Sequence, residues 1–338
     1  PGKGVLGIAY VGSVGTHLSL RREYNQLTPL ANSPYPQGQA ISNNDCSTGT
    51  VNGQALSGDA LNHLNVACGN DPNPYRPFVG LGGINRYEDT AHSNYNALQV
   101  SLRRYFGHFS GSLAYTYSHS LDNASDGSSN SELPNSYATG MSYASSNFDQ
   151  RHLLEISAVY DLPSPFHNEF AKQTIDGWQI SDLTSFQTGA PFSVINDTFG
   201  DNAGVGNTIT PVQSYPDVIG NIHAKPAARN LPGIQGPRLY NAAAFAAPTG
   251  LTFGDAGRNI LRIPTRTDYD MGLFKQFPIR EDMHFEFRAE AFNVFNHTQW
   301  SQINNTACYG SDCDSSQFLT PTAAHNPRIL QLAGKFVF

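Results

Sequence analysis

The stretch Met283-His284-Phe285-Glu286-Phe287-Arg288-Ala289-Glu290-Ala291-Phe292-Asn293-Val294-Phe295 decides the fold. Phe285, Phe287, Ala289, Ala291 and Phe295 share one side of an extended chain, with Asn293 the exception, while His284, Glu286, Arg288 and Glu290 share the other. A period of two is that of a β-strand, whereas a helix would spread the same charges around its circumference. The strand therefore has one greasy face and one ionic face.

The pattern repeats along the chain. Leu98, Val100 and Leu102 alternate with Gln99, Ser101 and Arg103. Leu113, Tyr115 and Tyr117 alternate with Ser112, Thr116 and Ser118, and a tight turn at Tyr105-Phe106-Gly107-His108-Phe109 joins the two runs. Further strands are predicted over Leu154 to Tyr160, Trp178 to Phe186 and Thr267 to Phe277. Val5 to Gly12 and Thr16 to Tyr24 read as a hairpin around Ser13-Val14-Gly15, and the total comes to about ten strands. The chain ends on Ile329 to Phe338, with Leu330, Leu332, Gly334, Phe336 and Phe338 on one face. An exposed aromatic terminal strand invites aggregation unless it pairs with another strand.

Connection lengths carry a second signal. Short turns fall near 13–15, 105–109, 161–176 and 278–282, and long Gly/Asn/Ser/Pro-rich stretches near 25–92, 119–148, 190–257 and 297–326. That alternation predicts an all-β, antiparallel up-and-down transmembrane barrel with tight turns at one end and extended loops at the other. Apolar runs of only a few residues rule out a spanning helix, which needs about 20. Charged residues make up 14% of the chain, below the ~25% of an ordinary soluble protein. The net charge of −7, with no basic run, argues against nucleic acid as a partner. Pro1-Gly2-Lys3 shows no leader, as expected of either a mature protein or a fragment.

Cys46 with Cys68, and Cys308 with Cys313, form two sequence-local pairs inside loop-like stretches and are candidate disulfides of an oxidising compartment. Free thiols or a zinc site are the alternatives. Neither pair has Cys-x-x-Cys spacing, and no His stands beside them at ligand spacing. No His-Glu-x-x-His, nucleophile elbow, phosphate loop or dinucleotide fingerprint occurs, so neither enzyme, metal site nor cofactor is expected. Asp149-Gln150-Arg151-His152 has a catalytic-looking composition but reads as an ion pair at a strand mouth. Asp122 to Gly127 and Gly200 to Gly204 lack the spacing of an EF-hand and read as loop tips. Tyr35, Tyr75, Phe78, Tyr137, Tyr143, Phe199 and Tyr215 lie in the long connections, where packing of the loops outweighs a ligand platform.

Several segments together resemble the C-terminal half of TonB-dependent outer-membrane receptors, in the branch with an N-terminal carboxypeptidase-regulatory-like domain. They are Ser93 to Gln99, Tyr115 to Ser120, Phe148 to His152, Asp176-Gly177-Trp178-Gln179 with Thr188 to Phe192, Phe285 to His297, and the terminal Phe338. The resemblance implies that residues 1–338 are the C-terminal barrel part of such a receptor, with plug and regulatory-like domain absent. It also implies energy-coupled uptake of a bulky nutrient across the cell outer membrane. The expected partners are outer-membrane lipid, an energy-transducing protein reached through the missing N-terminal region, the barrel-assembly machinery and an unknown extracellular ligand. Glu286, Arg288 and Glu290 become a lumen-facing charge ladder, and Phe336 and Phe338 the terminal strand read during assembly. The rivals are a passive porin or adhesin-like barrel, and a secreted all-β carbohydrate-binding protein whose apolar faces bury against a second sheet. Deleting Phe338 from the complete protein is expected to lower its outer-membrane level, measured by fractionation and immunoblotting; an unchanged level would count against the assembly role.

Overall fold

The computed structural model describes residues 3–125, 133–163, 176–197, 201–206, 214–234, 236–280, 282–310 and 314–338. Eight long strands form one antiparallel sheet: β1 (Lys3–Glu23), β2 (Asn85–Phe106), β3 (Phe109–Asp122), β4 (His152–Asp161), β5 (Trp178–Gln187), β6 (Arg266–Arg280), β7 (Met283–Phe292) and β8 (Ile329–Val337). Each pairs with the next in sequence, so the chain runs up and down, and β1 and β8 form the two edges of an open sheet. The two-residue strand Ala144–Ser145 adds to the far end of β3.

The long strands number eight among the described residues, against about ten expected. The hairpin expected around Ser13-Val14-Gly15 is instead a single strand, β1, paired with β2 along its whole length. Its register shifts twice, between Gly15 and Leu18 and between Leu18 and Leu20. The first shift places an extra residue on β1, where His17 takes a positive φ of 56°. A bulge of this kind interrupts alternation in the same way that a turn does. β7 likewise stops at Phe292 instead of reaching Phe295, because Asn293 and Asn296 adopt φ of 50° and 52°. The turn at Gly107-His108 is as tight as expected: Phe106 pairs with Phe109, and Gly107 supplies the positive φ of 53°. Most of the connection expected at 161–176 lies outside the described residues.

All the short connections, with the first residue of β1 and the last of β8, lie at one end of the sheet; residues 24–84, 123–151, 188–265 and 293–328 join the strands at the other. The first long connection contains α1 (Asn43–Thr48) and α2 (Gly58–Ala67). Its Cys46 and Cys68 are joined, with Cα atoms 5.7 Å apart. Cys308 is also disulfide-bonded, while Cys313 lies outside the described residues. No helix among the described residues is long and apolar enough to cross a membrane.

The packed core is in the long connections. Among the described buried apolar residues, only Leu20, Ala91 and Ala97 belong to the eight strands. Tyr35, Ile41, Val51 and Leu64 of the first connection pack with Leu251 of the third. Val194, Tyr215, Phe245 and Leu261 of the third pack with Ala307, Phe318 and Leu319 of the fourth. The connections thus form a cap with cores of its own.

Candidate functional site

Register places the apolar residues of successive strands side by side. One row runs Phe106, Phe109, Tyr160, Ile180, Leu273, Ala289, Leu332 across seven strands. Another runs Leu6, Leu102, Leu113, Ile156, Thr184, Tyr269 on the same face. These side chains are not covered by a second sheet: Leu6, Leu98, Leu102, Leu273 and Leu332 are all exposed. The burial that a secreted carbohydrate-binding sandwich requires is therefore missing.

Ionisable groups interrupt the apolar face at Arg104, whose guanidinium lies 5.9 Å from the Phe106 ring centre, at His152, and at Lys275 and Asp182. Lys275 is buried, donates to the Asp176 carbonyl at 2.7 Å, and lies over the rings of Trp178 and Phe277 at 5.3 and 4.8 Å. The aromatic faces and the carbonyl replace the water such a charge would lose. Asp182 accepts the Thr184 hydroxyl at 3.1 Å.

The opposite face is polar. Glu286 accepts from Arg288 at 3.2 Å, lies 3.3 Å from His284, and stands across from Lys335 on β8. Glu290 lies on the same face, across from Gln331. The charges read from the sequence as a ladder are thus brought together, on the side away from Phe285, Phe287 and Ala289.

At the loop end, two arginines four residues apart bind the third long connection to the second. Arg258 is buried and donates to Asp122 at 2.8 Å, Ser125 Oγ at 2.5 Å and Asn147 Oδ1 at 3.0 Å. Arg262 donates to the carboxylate of Asp149 and, at 2.8 Å, to its carbonyl. Asp149 is itself 1% exposed and also accepts from the Ser120 amide at 2.7 Å and Arg151 Nε at 2.8 Å. The Asp149 and Arg151 pair expected at a strand mouth is present, with Arg262 as a third member. His152 turns instead to Tyr115, 2.8 Å away.

Burial alone would raise the Asp149 pKa, but the Ser120 amide and the two guanidiniums outweigh it and hold the carboxyl below its ordinary value. A lowered pKa stabilises the fold fully above the ordinary carboxylate range, and that stabilisation is lost as pH falls through the folded-state value.

A second polar cluster fixes the first connection. Buried Arg76 donates to the carbonyls of Asn25 at 2.5 Å and Gly206 at 2.6 Å, and Asn25 Nδ2 donates to the carbonyls of Phe78 and Gly82 at 2.9 and 2.6 Å. Asp122 and Asp201, which read as loop tips, are structural: Asp122 pairs with Arg258, and Asp201 accepts the amides of Val205 and Gly206. Of the loop aromatics, Tyr35 and Tyr215 are buried packing residues, Phe78, Tyr137 and Tyr143 are exposed, and Phe199 lies outside the described residues. Arg258, Arg262 and Arg76 had no periodic signal in the sequence.

A sheet whose apolar side chains face outward on every strand, with its core in the connections at one end, defines a protein that crosses a membrane on strands. The family model for the outer membrane beta barrel domain matches residues 1–331, and the chain belongs to that family; its place is the outer membrane. No curated protein sequence matches it. Among solved structures it is similar to the outer membrane transporter YddB from Escherichia coli, with 9% sequence identity and a TM-score of 0.41. That similarity covers 99% of this chain and 30% of the transporter.

Phe287→Arg, on the membrane face, is expected to cost about 2–4 kcal/mol if it sits near the midplane, whereas Glu286→Gln should be mild; urea titration after refolding into lipid checks both, and equal tolerance would contradict the assigned faces. Asp149→Asn should loosen residues 258–262 at neutral pH by about 1–3 kcal/mol, the cost of losing a buried charged acceptor, measured by hydrogen exchange. The unsubstituted protein should reach the same looseness only below the ordinary aspartate range of about 3.9.

Proposed function

We propose that this chain is part of the barrel of a TonB-dependent receptor, and that the complete protein takes up a bulky nutrient by energy coupling and catalyses no reaction. The observation that carries this reading is the cap. At one end Arg76 braces the first long connection to the third, Arg258 and Arg262 brace the third to the second, and apolar cores join the third to the first and to the fourth. Such a body suits capture of a ligand larger than a simple pore admits. In this reading Glu286, Arg288 and Glu290 face the lumen and a plug, a TonB-type protein acts through the N-terminal region, and the assembly machinery reads Phe336 and Phe338. The ligand is bound by the cap.

The second reading, a passive porin or adhesin-like barrel, is separated by two measurements on the complete protein. In a planar bilayer under potassium chloride, a plugged receptor is expected to give no steady conductance, and a porin a stable open-channel current. From solubilised envelopes, a receptor should copurify with a TonB-type protein and an adhesin should not. A steady current, or no such copurification, would overturn the proposal.

A further inference from the structure

The membrane face is not uniform. Across β6, β7 and β8 the rows read Met271, Ala291, Leu330; then Leu273, Ala289, Leu332; then Lys275, Phe287, Gly334; then Phe277, Phe285, Phe336. The first two rows put alanine between larger aliphatic side chains, leaving a recess of about 370 Å³ with Ala289 and Ala291 as its floor. The next two rows close it at the short-turn end. Phe287 packs edge-on against Trp178, with ring centres 6.1 Å apart, and Phe285 lies over Gly334, where a Cβ would meet the ring at 2.9 Å. Along the strands the slot is thus closed at the short-turn end and open towards the long-loop end.

Its width selects the occupant. The walls stand on strands two spacings apart, about 9.6 Å, and a polymethylene chain in contact with both, at about 4 Å on each side, needs about 8 Å. A helix, about 10–12 Å across, does not enter. The walls are Leu and Met, which suit an aliphatic chain, and Leu330 and Leu332 are 70% and 75% exposed. Beyond the open end, in the residue before β8, Arg328 is exposed, with its guanidinium held to the Val294 carbonyl at 3.3 Å. From Arg328 to Phe338 a strand tilted by about 45° rises roughly 23 Å, close to the ~25 Å height of an outer-membrane apolar band. With Phe338 at the inner boundary of the band, that rise would set Arg328 at headgroup level on the outer side.

We infer that this slot holds one acyl chain of an anionic, phosphate-bearing lipid of the outer leaflet, with the phosphate on Arg328. A guanidinium matches phosphate oxygens in charge and geometry. The inference rests on the outer-membrane location alone and holds whether or not uptake is energy-coupled.

The test uses the complete protein, extracted from outer membranes in mild detergent and examined by native mass spectrometry. The unsubstituted protein is expected to retain one phosphorylated lipid. A289L/A291L, which fills the slot, should lose it, and Arg328→Gln should retain several-fold less. Val100→Leu, on the same face but remote, should retain it. A heat-modifiable band on unboiled gels certifies that each variant is folded, and Arg328→Gln serves if the double variant is not. Undiminished lipid in folded A289L/A291L or in Arg328→Gln would overturn the inference. So would cysteines at Leu330 and Leu332 cross-linking two copies of the protein in place of lipid retention.

Discussion

Everything in this structure depends on the backbone hydrogen bond in a medium without water. Each unpaired amide or carbonyl in hydrocarbon costs several kcal/mol, so a strand survives there only beside another strand. That constraint favours pairing in chain order through turns as short as Gly107-His108. It also requires strict alternation, since a residue facing the lipid cannot share its face with an unpaired charge. Lys275 is tolerated there because aromatic rings and the Asp176 carbonyl surround it.

The cap obeys a different rule. Its segments are irregular and must satisfy their polar groups individually, which explains the buried arginines. Arg258 reaches carboxylate, hydroxyl, amide and carbonyl oxygens from one planar group. A buried ion pair is weak evidence for stability, because desolvation offsets its attraction. Its value here is geometric: segments more than a hundred residues apart in sequence are held in one arrangement. Apolar clusters such as Tyr35 with Leu251 contribute the net stabilisation.

This division explains which parts of the structure could be read from sequence. β7 and β3 were legible from alternation, since a period of two needs only local residues, and the Glu286 and Arg288 face followed from the same pattern. The cap was legible only as long connections. The bond from Arg258 to Asp122 has no local signature. β1 was misread for a physical reason: a bulge at His17 changes the phase of alternation, and beside Ser13-Val14-Gly15 the change looks like a chain reversal. The strand count fell accordingly.

Those bulges have a wider consequence. An extra residue on β1 is answered by one on β2 a few residues later, so the two strands leave the pair of defects in step. Even-numbered residues that face the bilayer below, such as Leu6 and Ile8, give way above to Leu20, which turns in to Ala91 and Leu133. The pair of defects works as a coupling joint: it separates the sidedness required by the membrane from that required by the cap. Changes of sequence above the joint can remodel the external surface without altering what the lipid meets below, which leaves a constant wall free to carry a variable crown.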